Sequence, residues 1–109
     1  MSDTQRRDYR RRMVYHQRIV DRLPLLDWDV AHGNLARTRR AVQGELAVAA
    51  VNEWGSLLAL RDTETIARIL TENSDHADLM RVVSPFAGML TDEERRQVIT
   101  ETSRRGPIN

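Results

Sequence analysis

Arg7, Arg11, Arg18 and Arg22 recur at steps of four, seven and four residues, so on a helix they share one side. Guanidinium forks aligned in this way suit bidentate capture of carboxylate or phosphate oxygens. Tyr9, Met13, His16, Val20 and Leu23 recur at steps of four and three and form an apolar seam facing away from those arginines, with Ile19 on its flank. The expected partner-binding surface is therefore Arg7, Arg11, Arg18 and Arg22 for an acidic or phosphate-bearing partner, with Tyr9 and Met13 added if the seam is shared. Fewer than three heptads do not make a coiled coil, so the seam alone leaves open whether it docks on its own chain or on a second copy. His16 lies on the seam, where a hydrogen-bonded packing histidine is commoner than a metal ligand.

Other constellations are thinner. Asp29 with His32, and Asp75 with His76 and Asp78, offer partial ligand sets, and no HExxH run is present, so surface turns are expected there and no metal. Glu45 and Glu53 lie eight residues apart and share a helical face, but a solvent-facing stripe paired with Arg39 and Arg40 explains them at lower cost than an acid/base pair. There is no cysteine nucleophile, nucleophile elbow or glycine-rich phosphate loop. Residues 65–83 can be laid on a helix-turn-helix template. The second helix would then open on Asp75, His76 and Asp78, which repel phosphates. The expectation is a protein without enzymatic activity, cofactor or metal.

All 17 basic residues are arginine and none is lysine, the pattern that GC-rich codon usage produces, so a bacterial or phage source with a GC-rich genome is expected. The same bias weakens any claim that arginine was selected for its fork. The net charge is +1, but residues 1–23 hold seven arginines against three aspartates, a net of +4, leaving the rest of the chain slightly acidic. Without cysteine there are no disulfides or thiolate metal sites. No run approaches the ~20 apolar residues of a membrane span, and the arginine-rich start has no apolar signal core, so a cytoplasmic protein with no membrane contact is expected.

These residues must be held by helices. Alanine, leucine, arginine and glutamate dominate, β-branched alternation is absent, and 109 residues suit a single all-α domain. The spacing predicts a first helix over 3–23, stopped by Pro24, and a connection over 25–30 anchored by Leu26 and Trp28. Gly33 reads as a break and Asn34 as the N-cap of a long central helix over about 34–60, whose segment 46–51 is the expected centre of the core. Gly44 and Gly55 fall inside that run, each at a cost of about 1 kcal/mol relative to alanine, with Gly55 read as close packing or a kink beside Trp54 and a helix end there as the main rival. Asp62 should cap a helix reaching Glu72, and a further helix spans 75–83. Ser84-Pro85 opens a separate short turn. Thr91 with Glu94 forms a capping box for a last helix closed by Gly106-Pro107, with Arg104 and Arg105 at its negative end. That helix has only Val98 and Ile99 to bury and should be the easiest to detach.

The fold expected is thus a compact bundle of about five helices packed around the 34–60 helix. Its expected role is that of a regulator or adaptor acting by protein–protein contact and associating as a homodimer. The alternative is a nucleic-acid-binding accessory protein using the same four arginines.

Overall fold

The computed structural model describes residues 2–103, and within them the chain is all-helical. Six α-helices follow in order: α1 (Asp3–Arg22), α2 (Trp28–Ala41), α3 (Glu45–Leu60), α4 (Thr63–Thr71), α5 (Asp75–Val82) and α6 (Asp92–Ser103), with a 3-10 turn at Leu23–Leu25. They form the compact helical bundle expected of the composition. The chain end, with Arg104, Arg105 and the Gly106-Pro107 closure, lies outside the described residues.

Local chemistry sets most boundaries. The Ser2 hydroxyl accepts from Gln5 N–H while the Gln5 amide oxygen accepts from Ser2 N–H, a reciprocal cap at the start of α1. Asp62 caps α4 through Thr65 N–H at 3.1 Å, and Ser74 caps α5 through Ala77 N–H at 3.1 Å. The capping box of α6 forms in both directions, Thr91 N–H to Glu94 Oε1 at 2.9 Å and Glu94 N–H to Thr91 Oγ1 at 3.1 Å. Pro24 sits in the 3-10 turn, and Ser84 to Leu90 is a non-helical loop.

The single long helix over 34–60 does not form. The chain turns back on itself at Val42–Gly44, making α2 and α3 an antiparallel hairpin of two shorter helices. Val42 is extended, and Gly44 takes φ +93, a conformation open to glycine and strained for any other residue. Asn34 is not a cap. Asp27 caps α2 through Val30 N–H at 3.2 Å, and Asn34 lies buried within the helix. Gly55 is the close approach that was expected, since a Cβ there would meet Arg39 Nη2 at 3.3 Å and Leu35 Cδ2 at 3.8 Å.

The core is one cluster in which α3 contributes Ala50, Val51, Trp54, Leu57 and Leu58. Around it pack Ile19 and Leu23 from the first segment, Ala31 and Leu35 from α2, Ile66, Ile69 and Leu70 from α4, Met80 and Val83 from the α5 region, and Val98 from α6. Phe86 and Trp54 meet edge to face at its centre, 5.4 Å between centroids, and Trp54 Nε1–H donates to Met80 O at 2.8 Å. The expectation for 46–51 is corrected. Only Ala50 and Val51 are buried there, while Leu46 is 74% exposed and Val48 and Ala49 face outward. The buried arc of α3 runs through residues 50, 51, 54, 57 and 58, so its first turn overhangs the core. From Arg39 to Ala49 no residue is fully buried, and the hairpin turn touches the core only through half-buried Val42.

Candidate functional site

α1 lies between α6 on one flank and α4 on the other. Its buried residues are His16 and Ile19, so its docking face is rotated from the expected seam towards the arginine side. That rotation decides the fate of the arginines. Arg11 Nε donates to Thr102 Oγ1 at 3.2 Å and its Nη2 to Ser103 Oγ at 3.0 Å. Arg18 pairs with Glu101 at 3.0 Å. Arg22 grips Glu94 with both arms of its fork, Nε to Oε2 at 3.1 Å and Nη2 to Oε1. The hydrogen bond from Arg22 holds the Glu94 carboxyl down at about 2. Of the four arginines expected to meet a partner, three are therefore tied to α6, and Arg7 alone is exposed rather than half-buried.

Tyr9 and Met13 are also engaged at home. The Tyr9 hydroxyl donates to Asp78 Oδ1 at 3.3 Å and Met13 is half-buried. α6 covers less apolar surface than its neighbours, with Val98 buried and Ile99 half exposed. It is held instead by hydrogen bonds and ion pairs along α1.

A polar network fastens the Ser84–Leu90 loop from three sides. His16 Nδ1–H donates to Arg12 O at 2.7 Å, which fixes the tautomer and leaves Nε2 to accept from the Ser84 hydroxyl at 2.8 Å. The Tyr15 hydroxyl donates to Phe86 O at 2.5 Å and accepts from Met89 N–H at 3.3 Å. Asn34 Nδ2 donates to Pro85 O at 2.9 Å and Ala87 O at 2.8 Å. Burial pushes His16 down to about 4, and the Arg81 and Arg12 charges act in the same direction, so the imidazole is neutral at pH 7. Burial likewise raises the Tyr15 hydroxyl. A recess of about 330 Å³ beside the His16–Ser84 pair is lined by Tyr15, Ala87, Gly88 and Arg95. The pair ties α1 to the loop at the edge of this recess.

Arg81 was not foreseen in any role, yet its side chain is fully buried. Its Nη1 donates to Ile69 O and Glu72 O, each at 2.8 Å, closing the carboxyl end of α4, and its Nη2 pairs with Asp78. The remaining acidic candidates separate. Glu53 accepts from or pairs with His76 at 2.8 Å on the surface, whereas Glu45 borders a shallow depression with Gly44, Val48, Ala49 and Asn52. Asp78 belongs to Arg81 and Tyr9. Among the described residues no three acidic or histidine side chains converge as a metal site, and no helix is long and apolar enough to cross a membrane.

Several large apolar side chains are exposed, among them Leu25, Val82 and, on α3, Leu46 (74% exposed) and Leu60 (76% exposed) at its first and last turns. The outer face of α3 between them is a low ridge of Ala49, Asn52, Ser56 and Ala59 edged by Val48. Asn52 on the ridge accepts from Arg39 Nη1 at 2.5 Å, and Glu53 beside it pairs with His76. Comparison of the chain with protein-family models, curated proteins and solved structures finds no match.

Proposed function

We propose that this protein is a non-enzymatic helical regulator or adaptor that acts by protein–protein contact, and that its contact surface is the outer face of α3. One observation carries the reading: two exposed leucines, Leu46 and Leu60, project from the first and last turns of the helix whose other side anchors the core. Isolated exposed leucines are ordinary, but two on one helix, with Val48, Ala49 and Ala59 also exposed between them, make the kind of surface that partners cover. The small residues between them allow another helix to approach closely. Nucleic-acid binding through α1 has less to draw on, because Arg11, Arg18 and Arg22 are spent on α6 and the outward cations are Arg6, Arg7 and Arg10.

The test is site-specific photo-crosslinking in the cell that encodes the chain. A photoreactive residue at Ala49 is expected to give a discrete cross-linked protein product, and the same residue at Arg7 is not. A product from position 7 alone, or nucleic acid recovered from position 7, overturns the reading and returns the site to α1.

A further inference from the structure

We propose that the surface around Gly88, where α1, α2 and α6 meet the Ser84–Leu90 loop, binds a medium-chain fatty acid, with the carboxylate on Arg95 and the hydrocarbon tail against Leu25, Leu26, Val30 and Met89. Two recesses share Gly88 as a wall. The first, about 330 Å³, is the one beside the His16–Ser84 pair. The second, about 290 Å³, is lined by those four apolar side chains together with Arg22 and Asp27. Each alone is at the small end of ligand sites, and a molecule reaching from one to the other uses both. Gly88 permits the passage. It is exposed, and a Cβ there would meet nothing within 4 Å, so the wall between the recesses is bare backbone with open space above it.

Charge sets the orientation. Tyr15 and His16 are neutral at pH 7, so Arg95 carries the one formal charge among the residues lining the first recess. Its ion-pair partner among the described residues is Asp92, 3.8 Å away on the same helix, with both side chains mostly exposed. A surface pair of that kind is worth little and yields to a ligand carboxylate that the fork can grip with both arms. At the other end the charges are committed. Arg22 is clasped to Glu94 and Asp27 caps α2, so an anionic head finds no partner there and is repelled by the Asp27 carboxylate. A single fork matches a monoanion; a phosphate monoester would bring a second negative charge, for which the lining residues offer no uncommitted cation. The tail end is apolar and poorly covered, since Leu25 is 84% exposed and Val30 43%, and a chain lying against them removes that surface from water. None of the lining residues belongs to α3, so this site and the α3 contact surface stand or fall separately.

The probe is octanoate, titrated into the isotope-labelled full chain at pH 7 and followed by amide chemical shifts, with butanoate and 1-octanol as controls. Octanoate is expected to shift Val30, Gly88, Met89 and Arg95 together, with a midpoint below about 1 mM. Butanoate keeps the head but lacks the tail, and should bind at least about tenfold more weakly, each buried methylene being worth roughly fourfold. Arg95→Gln should weaken octanoate at least about fivefold and leave 1-octanol unchanged, whereas Leu25→Asp should weaken both. Both positions are exposed, so each variant should keep the helical circular dichroism spectrum of the native chain. No shift with octanoate up to about 1 mM, shifts centred on Leu46 and Leu60 of α3, or an octanoate affinity indifferent to Arg95→Gln overturns the proposal.

Discussion

Arg22 grips Glu94 across the α1–α6 boundary, and Glu94 is also the residue that caps its own helix through Thr91. One carboxylate thus both starts α6 and fastens it to α1. The apolar contact of α6 is small, so the helix depends on this clasp and on Arg11 and Arg18 further along.

Removing the clasp should loosen α6 selectively. In Arg22→Ala, Glu94 loses the partner that holds it at about 2, and its midpoint should rise back towards 4.5, although the Thr91 amide still favours the charged form. In the native chain this contribution is complete above pH 4.5 and disappears as the pH falls through about 2, because the folded state has the lower affinity for the proton. NMR titration of Glu94 checks the shift. Amide exchange should quicken in α6 and not in α3, as expected of a unit that opens on its own. Equal quickening in both helices would mean that α6 opens only when the bundle unfolds.

His16 should make stability depend on mildly acidic pH. Its folded value of about 4 lies below the ordinary 6.5, so the unfolded chain takes up the proton first. The stability it contributes is complete above pH 6.5 and is lost as the pH falls through the window down to about 4. At about 1.4 kcal/mol per pH unit, the native chain should lose roughly 2 kcal/mol between pH 7 and pH 5. His16→Asn should be less stable at pH 7 but nearly flat over that interval. Urea unfolding of both chains at the two pH values decides it, and parallel losses would rule out His16 as the source.

Much of this fold is legible in residue patterns, and the misses share a cause. Caps at Asp62 and Thr91 and the stop at Pro24 are local chemistry, settled within three or four residues, and the structure has them where the spacing puts them. The side of α1 that meets water is set by the neighbours. α6 returns from 70 to 90 residues away and packs against the arginine flank, which no periodicity within α1 encodes. The same holds for Arg81. It looks like any surface arginine in its own helix, and becomes a buried brace only because the end of α4 lies beside it. His16 and Asn34 did carry a signal, as polar residues at core-facing positions, although Asn34 resembled a cap.

Arg81 should therefore behave as a core residue. Arg81→Ala leaves the Ile69 and Glu72 carbonyls without donors and Asp78 without its cation, and is expected to cost about 3 kcal/mol. Arg81→Lys keeps the charge but lacks the fork that spans two carbonyls and a carboxylate, so it should recover only part of that loss. Its Nε–H is the buried side-chain donor left unpartnered among the described residues, and the lysine variant does not inherit that cost. Denaturant unfolding at pH 7 measures both, and an alanine variant within about 1 kcal/mol of the native chain would contradict the bracing role.

Gly33 and Gly44 exchange the roles their neighbours suggest, and substitution should reveal it. Gly33, between His32 and Asn34, resembles a break, yet it lies in the interior of α2 with open space where a Cβ would go. Gly33→Ala removes a flexible residue from a helix without a clash and should stabilise by about 0.5–1 kcal/mol. Gly44, between Gln43 and Glu45, resembles a tolerated helix interior position, yet it makes the hairpin turn at φ +93. Nothing crowds it, so any penalty of Gly44→Ala is backbone strain alone, expected at about 1–3 kcal/mol. Opposite signs for the two variants in thermal unfolding would establish two helices joined by a turn. If both variants stabilised the protein, α2 and α3 would have to be one continuous helix, and the overhanging ridge of Leu46 and Ala49 would lose the turn that presents it.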